Sequence, residues 1–97
     1  MDLQYEDNRI FMENEDGKVV AEITFPEVNE NLVDITHTRV DESLQGQGVA
    51  SKLVTAVAEK LREDNKKAIP SCPYAKVWFE RHEEYKDVVH KEMWWNE

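Results

Sequence analysis

The chain has one cysteine, three glycines and three prolines among 97 residues, and no apolar run approaches the length of a membrane span. The lone Cys72 cannot form an internal disulfide, and an unpaired thiol is better tolerated in a reducing cell interior, so a cytoplasmic protein is expected. Met1 to Tyr5 lacks the basic-then-apolar layout of a secretion signal. Basic residues are also scarce: 12 Lys and Arg against 21 Asp and Glu leave a formal charge of −9. That charge repels nucleic-acid phosphates and anionic membrane surfaces, which argues against both as partners. It tolerates a cationic partner such as an amine. The three histidines, His37, His82 and His90, are scattered without metal-ligand spacing, so no metal site is expected. A chain of this length buries roughly 60 to 70% of its unfolded surface, enough for one core, and residues 1–97 are read as a single domain.

Alternation of apolar residues marks strands. Arg9 to Asn14 and Lys18 to Phe25 read as a hairpin joined by an Asn-Glu-Asp-Gly loop, with Val19, Ala21, Ile23 and Phe25 on one face. Pro26 to Asn31 reads as loop. Leu32 to Val40 is β-branched and apolar on both faces near its start, which suits a central strand. Ala50, Leu53, Val54, Val57, Ala58 and Leu61 then recur at three- and four-residue intervals, the stripe of a helix packed on a sheet, with Asp64-Asn65 as its end. Lys67 to Cys72 follows as a short strand, parallel to the third because a helix connects them. Pro73 opens another helix, whose inner face is assigned to Tyr74, Val77 and Trp78, with Arg81 as a further candidate. A short final helix holds Tyr85, Val88 and Val89, and the tail carries Trp94 and Trp95, read as packing over the sheet with a partner contact as the alternative. The fold class is therefore α+β: N-terminal antiparallel strands, then a β-α-β crossover.

Two of the three glycines fall in the stretch Val40-Asp41-Glu42-Ser43-Leu44-Gln45-Gly46-Gln47-Gly48-Val49-Ala50, between the third strand and the long helix. The first turn of a helix presents unsatisfied N–H groups and the positive end of the helix dipole, a natural seat for phosphate. Gly46 and Gly48 remove the Cβ atoms that would hold a ligand away and permit amides to converge. A Walker loop would need Gly-Lys-Ser/Thr, which is missing. A dinucleotide fingerprint would need glycine where Ser51 stands and an acid ending the next strand, and that strand has none.

The pattern that does fit is Gln/Arg-x-x-Gly-x-Gly/Ala, filled by Gln45, Gly48 and Ala50. It resembles the acetyl-CoA motif of the GCN5-related N-acetyltransferases. A second block, Lys67 to Ala75 with Ser71-Cys72-Pro73, followed by Phe79 to Tyr85, is similar to the small one-domain branch of that superfamily. The resemblance spans about Asp34 to Val89. It implies a central mixed sheet in which the third strand and the next parallel strand splay apart around the pantetheine arm of acetyl-CoA. Thr38 and Val40 would then meet that arm through backbone, and the pyrophosphate would rest on amides of Gln45, Gly46, Gln47, Gly48, Val49 and Ala50. A strand N–H would polarise the thioester carbonyl. The reduced C-terminal region and the tightly joined first strands leave the acceptor groove open or absent, which suits a bulky acceptor such as a protein amine, a site completed by a second subunit, or a protein that binds acetyl-CoA without much catalysis. The acceptor is left as a small-molecule or protein amine and the chain as a monomer or weak homodimer.

Cys72 stands at the end of the second splayed strand and before a helix N-terminus, where a thiolate is favoured. It could accept the acetyl group transiently, or the amine could attack the thioester directly while a base takes its proton. Direct transfer is preferred. His37, on the strand bordering the thioester, is the base candidate, with Glu80 and His82 behind it; each of these residues also has a plain packing or surface reading. The chain is thus expected to be an acetyl-CoA-dependent N-acetyltransferase with an unidentified amine acceptor, the alternative being a non-catalytic CoA-binding module.

Overall fold

The computed structural model of the protein describes residues 2–90, so Trp94 and Trp95 lie outside the described residues. Seven strands and two α-helices follow in the order β1 (Gln4–Glu6), β2 (Arg9–Glu13), β3 (Val19–Thr24), β4 (Glu27–Asn29), β5 (Leu32–Ile35), β6 (His37–Val40), α1 (Val49–Asp64), β7 (Lys67–Pro70) and α2 (Pro73–Arg81). Single 3-10 segments occupy Glu42–Leu44 and Glu83–Val88, the latter where a final helix was expected.

The expected hairpin is β2 and β3, paired antiparallel from Arg9 opposite Thr24 to Met12 opposite Ala21. Its turn is built by Asn14, whose side-chain oxygen accepts from the N–H groups of Asp16 (2.9 Å) and Lys18 (3.0 Å). Gly17 closes the turn at φ 80°, a left-handed conformation costly for residues with a Cβ. The short strand β1 lies in a segment that was assigned no element from sequence, and β4 lies within what was read as loop. Each has three residues, all exposed, so neither carries an apolar pattern.

The main correction concerns the third strand. Leu32 to Val40 is two strands in two sheets, broken at Thr36. One sheet has the order β1-β2-β3-β6, the other β4-β5-β7. At the break the Thr36 N–H donates to Thr24 O (3.1 Å) and the Thr36 and Thr24 hydroxyls meet at 2.9 Å, which pulls the chain from β4 and β7 over to β3. Parallel pairing of β5 with β7 runs from Leu32 opposite Lys67 to Ile35 opposite Pro70. Proline has no N–H to extend a ladder, and β7 ends there, two residues before the expected Cys72. The Cys72 N–H still donates to Ile35 O at 2.8 Å, beyond which the chain turns into α2.

Helix α1 covers one face of the sheets, burying Leu53, Val54, Val57, Ala58 and Leu61 against Ile10, Ile23, Phe25 and Ile35. Full burial of such a side chain stabilises by about 1.5–3 kcal/mol, so this layer is the energetic centre of the fold. Asn65 ends the helix as expected, in the left-handed conformation (φ 62°), with the Lys66 N–H returning to Leu61 O at 2.8 Å. Helix α2 buries Ala75, Trp78 and Phe79, whereas Tyr74 and Val77, assigned to its inner face from sequence, are exposed. The Cys72 bond to Ile35 fixes where the helix starts and so rotates the Ala75–Phe79 pair, one turn apart, into the core. Among the described residues no helix is long and apolar enough to cross a membrane.

Candidate active site

Between β6 and α1 the chain makes two tight reversals. Asp41 opens the first, its carboxylate accepting from the Ser43 N–H (3.1 Å) and hydroxyl (2.6 Å), bonds that hold this carboxyl below the usual aspartate range. Gly46 (φ 82°) and Gly48 (φ 74°) make the second. Both adopt the left-handed region, and a Cβ built on either would meet nothing within 4 Å. These positions therefore need glycine for dihedral freedom and face open space.

Gly48 is the N-cap of α1, and no side chain caps that helix. A helix start normally finds a Ser, Thr, Asp or Asn oxygen for its orphan N–H groups. Here the amides at the head of α1 lie instead beside a surface cavity of about 270 Å³ lined by Val40, Leu44, Gln45, Gly46, Gly48, Val49, Ala50, Ser51 and Tyr74. Its lining contains no charged side chain, so an anion held there would be met by main-chain dipoles.

The other wall is the free edge of β6. Among the described residues that strand lies at the margin of its sheet, paired with β3 on one side only. The Asp41 N–H donates to Val20 O at 2.7 Å, and amides alternate in direction along an antiparallel strand. Arg39 therefore points its N–H toward β3, and Thr38 and Val40 turn theirs to the open edge. An extended ligand could add to that edge as a further strand.

Cys72 sits where the two strands part. Cys72 is 6% exposed and stands at the N-cap position of α2 without a capping bond from its side chain; its thiol instead donates to the Thr38 hydroxyl at 3.5 Å. The structure thus brings together Thr38, Cys72, Val40 and the glycine turn on one path. Gln47 is exposed, its amide reaching Ser43 O at 3.5 Å, and does not line the cavity.

His37 is exposed and lies opposite Thr24 in register. Adjacent residues of a strand face opposite ways, so His37 occupies the other face of β6 from Thr38. That outer face also holds Glu22, clamped between Arg9 (2.7 Å) and Arg39 (3.4 Å), with Arg9 stacked 4.0 Å over Phe11. Glu80 is exposed near the far end of α2 from Cys72. His82 lies just past that end, flat on Trp78 at 3.9 Å with its Nδ1 2.7 Å from Trp78 O. A nine-residue helix is about 13 Å long, so neither adjoins the thiol.

Leu44, Ser51, Tyr74 and Trp78 belong to the site or its support and were not named as site residues from sequence, Tyr74 and Trp78 being read only as the inner face of a helix. Ser51 stands one residue past the motif and Tyr74 two past Cys72, so adjacency alone was the signal. Trp78 gave none, because its contact with Ser51 joins residues 27 apart.

A family model described as GCN5-related N-acetyl-transferase matches residues 9–88. The chain is 38% identical to a GCN5-like protein of Staphylococcus aureus solved by NMR, covering 92% of this chain and 87% of that one at a TM-score of 0.76. Two more distant structures share the fold: a GNAT family N-acetyltransferase from Escherichia coli in complex with CoA (24% identity, TM-score 0.53, 60% of this chain and 35% of that one), and a Mycobacterium tuberculosis protein in complex with CoA (21%, TM-score 0.58, 78% and 47%). The chain thus spans under half the length of those two. No curated protein sequence matches it.

Proposed function

The chain belongs to the GCN5-related N-acetyltransferase family, and from that footing we propose that it moves the acetyl group of acetyl-CoA to an amine, on a small molecule or a protein. The observation that carries the reading is the uncapped head of α1, facing a cavity through two left-handed glycines beside the free amide edge of β6. Amide donors at a helix head and along a strand edge suit a ligand with an anionic end and an extended amide-containing arm. The pyrophosphate would seat on the amides of residues 45–50, and the pantetheine arm would run along Thr38 and Val40 toward Cys72. The CoA-bound proteins that share the fold support the choice of cofactor.

In the transfer, the amine lone pair attacks the thioester carbonyl carbon. Negative charge gathers on the carbonyl oxygen, where an N–H from the free edge of β6 meets it. The C–S bond breaks, CoA leaves as the thiolate, and the amine proton passes to a base. His37 is the proposed base for an acceptor arriving at the uncovered outer face of the sheet. Holding thioester and amine together supplies much of the rate. The charge of −9 favours a cationic acceptor in the encounter.

Calorimetric titration with acetyl-CoA and CoA, on the native chain and on Gly48→Glu, is the test. The variant puts a negative side chain into the cavity at a position with φ 74°; its thermal midpoint is followed alongside. Micromolar binding to the native chain, lost in a folded variant, is the expected result. No binding to the native chain would remove the proposal. In turnover assays with amines, His37→Gln should depress kcat/KM and alter its pH profile, and an unchanged profile would dismiss His37 as the base.

A further inference from the structure

Trp78 is 4% exposed, and a buried indole N–H needs an acceptor. It finds one outside its own helix, the Ser51 hydroxyl on α1, at 2.9 Å. Ser51 is the third residue of α1 and lines the cavity.

A serine in a helix can turn its hydroxyl proton back to the carbonyl four residues earlier. Ser51 makes no such bond: its hydroxyl interacts with Trp78 alone among the described residues. Its backbone carbonyl is taken by the Thr55 hydroxyl at 2.8 Å. The indole thus occupies one side of the oxygen and leaves the proton for another acceptor. A hydroxyl that already accepts a bond is also a better donor.

The indole is itself held on several sides. His82 stacks on it at 3.9 Å with the planes 8° apart, Phe79 presents its ring edge-on at 5.1 Å, and Tyr85 leans in at 5.4 Å. Such packing leaves little rotamer freedom to spend when a ligand arrives. Helix α2 also begins at Cys72, so one rigid helix carries the thiol at one end of the cleft and the group that orients Ser51 at the other.

We infer that Trp78 is a positioning residue for phosphate binding: its indole N–H fixes the Ser51 hydroxyl so that the proton points at a phosphoryl oxygen of CoA. The inference rests on the CoA site proposed above. Trp78 touches no ligand atom in this account and acts only through Ser51.

The test is a double-mutant cycle of CoA binding with the native chain, Ser51→Ala, Trp78→Phe and the double variant. Phenylalanine keeps a ring against His82 and deletes the N–H donor together with some of the indole's packing volume, a packing loss that is common to both Ser51 backgrounds and cancels in the cycle. Trp78→Phe should weaken CoA binding about three- to tenfold when Ser51 is present and less than about twofold when Ser51 is already alanine. A pure packing role would cost the same in both backgrounds, and that result, or no loss at all, overturns the inference. Should Trp78→Phe fail to fold, the native chain and Ser51→Ala still decide by NMR. Adding CoA should shift the Trp78 indole N–H signal, assigned through its contacts to the His82 ring, and the shift should vanish in Ser51→Ala. A shift that persists in that variant overturns the inference. Native protein that binds no CoA would fail the underlying site first, whereas native binding with an additive cycle fails Trp78 alone.

Discussion

The Cys72 thiol donates to the Thr38 hydroxyl across 3.5 Å, joining the two segments at the point where their strands part company. A bond to sulfur is weak, so its value is in where it holds the thiol rather than in stability. It places a nucleophilic atom at the inner end of the free edge of β6, beside the region assigned to the thioester.

This placement permits two chemistries that one experiment separates. For direct transfer, Cys72→Ser should bind CoA within about twofold of the native chain, because serine is short and still donates to Thr38. Mass spectrometry of native protein mixed with acetyl-CoA should then show no acetyl group on Cys72. An adduct that forms quickly and passes to added amine would overturn direct transfer in favour of a covalent route.

The sequence was most legible where one principle acted alone. The α1 stripe needed only helical periodicity, and the tight turn before it needed only the dihedral freedom of Gly46 and Gly48. The split of the third strand was hidden, because Leu32 to Val40 reads as one β-branched run and the break depends on Thr36 bonding to Thr24, a tertiary event. Strands β1 and β4 were missed because three exposed residues carry no pattern. The same limit hid Ser51 and Trp78, each ordinary in its own helix and meaningful only as a pair.

Glu22 should make stability depend on pH. Its carboxyl is held below the ordinary 4.5, first by the hydrogen bond from Arg9, with burial opposing and the Arg9 and Arg39 charges adding to the lowering. A depressed folded value means the stabilisation is complete above the unfolded value and is lost as pH falls through the folded one. Glu22→Gln should cost about 0.5–1 kcal/mol in urea unfolding at neutral pH and almost nothing near about pH 3. An equal cost at both would show that the charge is not the source.

Arg62 fastens the C-terminal 3-10 segment to α1. It grips both Asp87 oxygens at 2.9 and 2.6 Å, donates to Glu84 O at 2.7 Å and lies 4.7 Å over the Tyr85 ring. Lysine cannot reproduce that fork. Both side chains are over 40% exposed, so solvent screening keeps the loss of global stability from Arg62→Lys small. Hydrogen exchange should rise in residues 83–90 and not in α1. Equal acceleration throughout would mean that Arg62 supports the whole core and not this segment.

Ionic strength tests how phosphate is held. A site built from Lys and Arg weakens steeply as salt rises, because each paired charge is screened. The cavity lining here has no charged side chain, and the protein as a whole carries −9. Backbone amides supply short-range attraction, whereas the net charge repels a polyanion at long range, and salt screens the second more than the first. CoA affinity should therefore hold or rise by up to about threefold as ionic strength increases from about 0.02 to 0.2 M. A tenfold fall over that range would mean that cations outside the cavity, with Lys52 on the first turn of α1 the nearest by sequence, carry the phosphate contacts and that the amide nest is secondary.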